Sequence, residues 1–273
     1  MKKFVSEYIF EVAKQSKKSG IKKRVESLPR NITKVSFDID VHLEKELGRD
    51  AGHYVCLNFD DLLIYDIYAK EYLVEVVKNE LKNLLKLNKI DAKKVLIVGL
   101  GNPKYACDSV GKFTTDRVLI TTPYLDKKMF SKKEMAEIYA LSLGVYGTTG
   151  IDSAKLVESV CKIVEPDVVI AIDSLVATDA KNLAKSIQIS DTKLSPGGGV
   201  GNVRQDISSK AVGTKVFAIG VPLVVKMKNK FDDLIVTPND VEKQVSVISK
   251  ILSTAINKTF TNLSKQDYLQ LVS

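Results

Sequence analysis

Two aspartates stand where chemistry could be done. Asp173 directly follows the apolar run Val168–Ile172 in VVIAIDS, and Asp108 lies in GLGNPKYACDSVG, shortly after the run Val95–Gly99. In open α/β sheets the working crevice lies beyond the carboxyl ends of the strands. If these runs are strands, Asp173 sits where a strand meets its loop, and a turn at Gly99 and Gly101 brings Asp108 back to the same rim. Two carboxylates in one poorly solvated cleft repel each other's charge and favour a single shared proton, with one group as base and the other as acid. Such a pair can activate water against an amide. The bland alternative is that an Asp followed by Ser caps a helix or shapes a turn.

Supporting groups surround these positions in the sequence. Asn102 and the backbone of Gly99–Gly101 are candidate donors to a carbonyl or an aspartate, as are Thr148 and Thr149 in GVYGTTG. The stretch Ala184–Asn202, AKSIQISDTKLSPGGGVGN, ends a β-like run at Asp191 and opens into a glycine-dense loop. Gly198, Gly199 and Gly201 let the backbone take positive φ and approach an extended substrate, or offer N–H groups to an oxyanion. Read without its neighbours, the same loop is an ordinary flexible surface segment, and Asp191 is equally a turn-forming acid bonded to its own backbone.

The elements that must position these residues follow from apolar periodicity. YVCLNF, VLIVG, RVLITTPY, VVIAID, SIQIS, VFAIGV and LIVT read as strands; helices are predicted near Tyr68–Leu87, Lys132–Leu143, Ser153–Val164 and Asn239–Asn257. Strands this apolar are covered on both faces. The expected fold is therefore α/β, one domain over residues 32–273 with a mainly parallel twisted sheet flanked by helices. Residues 1–31 read as a basic helical arm, with an amphipathic helix at Phe4–Val12 and SKKSGIKKR as its polar exit.

Composition narrows the function classes. With 273 residues and 45% apolar content the chain can bury a substantial core, and its net charge of +8 reads as a lysine-rich solvated surface without a nucleic-acid-binding motif. Cys56, Cys107 and Cys161 form no C-x-x-C pair, so neither a disulfide framework nor a structural zinc is expected. No run approaches a membrane span, and the N-terminus lacks a secretory cleavage pattern.

In order and register from Val95 to Pro222, the segments VLIVGLGN, GVYGTTGI, VVIAIDS, the glycine loop and VFAIGVPLVV resemble the germination protease family, atypical aspartic endopeptidases of spore formers. A weaker likeness runs through LGRDAGHYVCLN, and none is visible before about Ile32. The resemblance implies catalytic aspartates at Asp108 and Asp173, no cofactor and no metal. It also implies small acid-soluble spore proteins as substrates, a spore-core location, synthesis as a zymogen and assembly as a homo-oligomer. Arg204 falls where the family has a basic residue, a candidate anchor for an acidic substrate side chain. Two departures stand out: Thr178 occupies the place of a family arginine, and no Arg-Thr-Asp-Leu motif occurs in Met1–Asp50.

Other chemistries fit less well. G-x-G-x-x-G would need glycine at Lys104, and neither a P-loop nor a G-x-S-x-G elbow is present. A thiol protease would use Cys107 with His53 as base. Hydrogenase-maturation endopeptidases look similar in their G-x-G-N turn followed by an acid, but His42 and His53 are the only histidines available to a metal. A non-catalytic spore protein that keeps the scaffold as a binding or regulatory module is the remaining alternative.

Overall fold

The computed structural model describes residues 6–15, 21–60, 65–196, 205–228 and 233–272. The β-branched runs pair into one sheet: β1 (Ile21–Leu28), β2 (Ile32–Ile39), β3 (Gly52–Asn58), β4 (Lys94–Gly99), β5 (Glu137–Ser142), β6 (Val168–Ala177), β7 (Ser186–Ser190), β8 (Lys215–Lys228) and β9 (Asp233–Val236). Their order is β1-β2-β3-β7-β8-β6-β4-β5, with β9 paired to the distal part of β8. The helices are α1 (Ile9–Gln15), α2 (Glu44–Leu47), α3 (Ile67–Leu87), α4 (Val110–Thr115), α5 (Thr122–Asp126), α6 (Tyr146–Thr149), α7 (Ser153–Val164), α8 (Ser209–Val212), α9 (Val241–Phe260) and α10 (Lys265–Val272).

Alternation along the central strands divides the core in two. Val95, Ile97, Val168, Ile170, Phe217 and Ile219 point toward the layer built by α3, α4 and α9. Leu96, Val98, Val169, Ala171, Val216 and Ala218 meet α7 and α8 on the other face. A period of two with both faces apolar thus places helices on both sides of the sheet.

The expected α/β sheet flanked by helices is present, with its parallel pairing confined to β5, β4, β6 and β8. The remaining pairings are antiparallel, so the sheet is mixed. The reason is connection length: a tight turn, as between β1 and β2, can only reverse the chain, whereas parallel neighbours need a crossover. That turn uses left-handed backbone at Arg30 (φ 63°) and Asn31 (φ 56°).

Three local expectations change. Ile21–Arg24, the described part of the basic segment read as a helix exit, belongs to β1, an edge strand exposed along most of its length. Its Lys and Arg side chains suit a sheet edge that must not pair further. The boundary drawn between residues 31 and 32 therefore cuts a hairpin, and the residues before it are part of the same body, with Tyr8 and Ile9 fully buried. The helix expected near Lys132–Leu143 is instead a turn followed by β5, whose Ile138, Tyr139 and Leu141 pair with β4. RVLITTPY is a loop leading into α5 rather than a strand.

Candidate active site

The position of Asp173 is set by strands of unequal length. β4 ends at Gly99, opposite Ile172, while β6 continues to Ala177 because β8 runs beside it past a bulge at Leu175/Val176. Asp173 therefore lies within β6 and not at its end, one residue beyond the end of the neighbouring β4. It continues the Val169–Ala171 row.

Asp108 is brought to the same place by the turn after β4. Leu100 N–H donates to Ile172 O at 2.9 Å, and the chain then reverses at Gly101, whose φ of +120° is unfavourable for any residue with a Cβ. A Cβ there would also overlap the Asp108 carbonyl. A short 3-10 turn, Ala106–Asp108, presents the carboxylate, and Asn102 N–H donates to Asp108 Oδ2 at 2.8 Å. Behind it, Gly111 lets α4 cross the ends of β4 and β6 in direct contact, since a Cβ would strike Leu100 and Ile172 backbone atoms.

Both aspartates line one cleft of about 790 Å³. Its walls include Leu100, Val176 and Val224, and exposed Tyr105, Tyr146 and Ile235 stand at its mouth. Asp173 is only 7% exposed. Burial, then the neighbouring charges of Asp108 and Glu7, push its carboxyl well above the usual range, against a 2.8 Å hydrogen bond from Ser174 N–H. Burial also raises Asp108, opposed by the Asn102 N–H that favours its charged form. Burial and like charge thus favour one shared proton on the pair, while the Asn102 N–H favours the charged form of Asp108.

A second cavity of about 270 Å³ adjoins the first, and Glu7, Asp173, Ser174, Leu175 and Pro196 line both. Glu7 arrives from the N-terminal segment. Its N–H donates to Val176 O at 2.9 Å, and its Oε2 accepts from Val176 N–H at 2.8 Å. Four residues on, the buried Glu11 carboxylate accepts from Thr178 N and Oγ1, Asp179 N and Asn182 Nδ2. Burial acts to raise Glu11, but hydrogen bonds from Ser6, Thr178 and Asn182 outweigh it and hold the carboxyl below its ordinary value. Thr178 thus serves to anchor the N-terminal segment. Nothing in the local sequence around Ser6 signals this, because every partner is remote in the chain.

Several other candidates lie elsewhere. Thr148 and Thr149 are exposed and turn their hydroxyls onto Val145 O at 2.8 and 3.3 Å, so they close the α6 turn; Val145, Tyr146, Gly147, Asp152 and Ser153 face the cleft in their place. Asp191 accepts from His53 N–H at 2.8 Å and Asn88 Nδ2 at 3.1 Å and sits 3.5 Å from Lys215 Nζ, tying β3 to its surroundings outside the cleft. Asn102 lines the cleft; its side-chain oxygen accepts from Lys104 N–H at 3.1 Å, and its backbone N–H donates to Asp108. Gly99 packs under Thr115 and Gly111. Gly198, Gly199, Gly201 and Arg204 lie outside the described residues, although the flanking Pro196 and Gln205 line the cleft. The thiol alternative is not assembled: burial raises the Cys107 thiol, and His53 bonds Asp38 at 2.6 Å on the antiparallel side of the sheet.

The germination protease family model matches residues 5–235. The chain belongs to the germination protease family. It is 31% identical to the germination protease of Clostridium tetani over 263 residues, covering 78% of this chain and 80% of that one. With the germination protease of Caldanaerobacter subterraneus it shares 34% identity over 244 residues, covering 88% and 72%. Among solved structures, a [NiFe] hydrogenase maturation protease HycI from Thermococcus kodakarensis aligns over 61% of this chain and 94% of its own, at 14% identity and a TM-score of 0.36. Family membership makes this a protease with a role in spore germination. The family match begins well before Ile32, upstream of the motif likeness, and so includes the segment that carries Glu7 and Glu11. No described helix is long and apolar enough to cross a membrane.

Proposed function

We propose that the protein is an endopeptidase of the atypical aspartic type that cleaves small acid-soluble spore proteins in the spore core, with Asp108 and Asp173 acting on water. The observation that carries this reading is the pair itself: two carboxyls raised by burial, one also by the other's charge, lining one cleft of about 790 Å³. Asp108, as carboxylate, accepts a proton from the water as its oxygen forms a bond to the amide carbon. Asp173 donates its proton to the carbonyl oxygen, giving a neutral tetrahedral intermediate. The C–N bond then breaks, with the proton held on Asp108 passing to the leaving nitrogen and the hydroxyl proton returning to Asp173. Backbone N–H groups of Gly198, Gly199 and Gly201 and the Arg204 guanidinium are assigned to the substrate on the family resemblance. Homo-oligomerisation and a zymogen stage rest on the same ground.

The test is cleavage of a purified small acid-soluble spore protein by this chain and by Asp173→Asn from mildly acidic to neutral pH, with fragments located by mass spectrometry. Discrete cleavage lost in the variant is expected. A folded wild-type chain that leaves the substrate intact would leave a latent zymogen or the non-catalytic module as the better reading.

A further inference from the structure

The N-terminal segment has no role in the two-aspartate mechanism, yet it reaches the most buried group of the site. Tyr8 is fully buried and its hydroxyl bonds Asn58 Oδ1 and Ser186 Oγ, each at 2.6 Å, while Ile9 N–H donates to Gln188 Oε1 at 2.7 Å. Arg49 Nη2 donates to Ser6 O. With the Glu11 anchor at Thr178, these contacts fix the segment along the far part of β6. The consequence is a third carboxylate, Glu7, on the wall shared by both cavities that flank Asp173.

We propose that Glu7 is a positioning residue of the active site, a fixed negative charge that keeps the shared proton on Asp173 while its carboxylate holds the Val176 backbone in place. This rests on the aspartate-pair reading above. The geometry explains why a chain would bury an acid there. A carboxylate tied to the N–H of a residue three past Asp173 cannot swing away, so its charge acts on Asp173 at constant distance, and like charge favours the protonated form. Glu7 is among the charges that raise the Asp173 carboxyl, after burial and Asp108.

The other charged groups around Asp173 set the sign of the expected change. On the second cavity's side are Arg49, Asp50, Lys193 and Asp206; Lys193 Nζ pairs with Asp50 at 3.0 Å and with Asp206 at 2.9 Å. On the cleft side are Asp108 and Asp152. Burial pulls Arg49 down, and the charge of Glu7 opposes that fall. When Glu7 is made neutral, Arg49 remains cationic with one acid fewer against it, so both changes release the Asp173 proton more easily.

Glu7→Gln keeps the shape and the acceptor for Val176 N–H and removes the charge. In full-length protein carrying carboxyl-13C aspartate, the Asp173 titration is expected to move to lower pH by at least about half a unit in Glu7→Gln. The alkaline limb of kcat/KM should move the same way, a readout that a merely structural role leaves in place. Coupling is reciprocal, so wild-type protein carrying carboxyl-13C glutamate offers a second measurement that does not depend on the folding of the Glu7 variant: the Glu7 resonance should respond to the ionisation of Asp173, and that step should vanish in Asp173→Asn, which holds the position neutral. Titrations that do not respond to each other overturn the proposal. If Asp173→Asn still cleaves substrate, the pair reading falls and takes the catalytic meaning of Glu7 with it; an inactive Asp173→Asn with uncoupled titrations removes Glu7 alone.

Discussion

The parallel and antiparallel parts of the sheet meet the active site in opposite ways. In the parallel part, β4 and β6 deliver Asp108 and Asp173 from local turns: one strand stops, its neighbour continues, and a glycine reversal brings the second acid alongside. The antiparallel part contributes no member of the pair. It supplies β3 and β7 side chains such as Asn58, Ser186 and Gln188 that bury the N-terminal segment, and through that segment it places Glu7. On the proposed reading, chemistry is carried by short-range geometry on one side and its electrostatic setting is assembled by long-range packing on the other.

That contrast is most directly broken at Asp173. Asp173→Asn should lower cleavage by at least about 10³-fold, as expected when a group required for proton transfer is lost. The same substitution should stabilise the fold at neutral pH, on the order of 1–3 kcal/mol. The sign follows from the raised carboxyl: the folded state keeps a proton that the unfolded chain releases, so wild-type stability falls as pH rises from the unfolded value toward the folded one. Thermal unfolding at pH 4 and pH 7 checks this, and the gap between variant and wild type should widen with pH.

Next in size is the crossing of α4. Gly111→Ala drives a methyl into the Leu100 and Ile172 backbones and should destabilise by about 2–4 kcal/mol, read as a fall in Tm with loss of activity. On the antiparallel side, Asp191→Ala removes an acceptor shared by β3 and Asn88, for an expected loss of about 1–2 kcal/mol with kcat unchanged. An altered kcat there would return Asp191 to the catalytic site. The smallest effect belongs to Thr178→Val, which loses one hydrogen bond to Glu11 while the backbone donors remain, about 1 kcal/mol. Because the Glu11 carboxyl is held low, the stability it contributes is present above its unfolded value and lost as pH falls through the folded one. The Thr178→Val deficit should therefore shrink in acid, which denaturant titration at two pH values can measure.

Legibility in the sequence follows the range of the interactions involved. Long amphipathic helices such as Ile67–Leu87 and Val241–Phe260 were readable from periodicity, and the buried runs of β4, β6 and β8 from continuous apolar character. β1 was not, because a charged edge strand buries neither face and leaves no period-two signal. β5 was misread because EMAEIYALSLG suits either period, and only the open edge of β4 decided it. Thr148, Thr149 and Asp191 looked like site residues because polar side chains beside glycines do the same thing in turns and in active sites. Their hydrogen bonds show them closing turns and tying strands.

What the sequence by itself determined is the chemistry on offer: two acids placed after apolar runs, glycines where the backbone must reverse or touch, and enough β-branched residues to bury a sheet on both faces. Those are properties of residue type and near-neighbour spacing, which local sterics and burial translate directly. Only the tertiary structure decided that β6 outlasts β4, that Asp173 stands between two cavities, and that Glu7, from the N-terminal segment, lines both of them. Each depends on which strands lie side by side, and pairing partners distant in sequence are selected by the packing of the whole core.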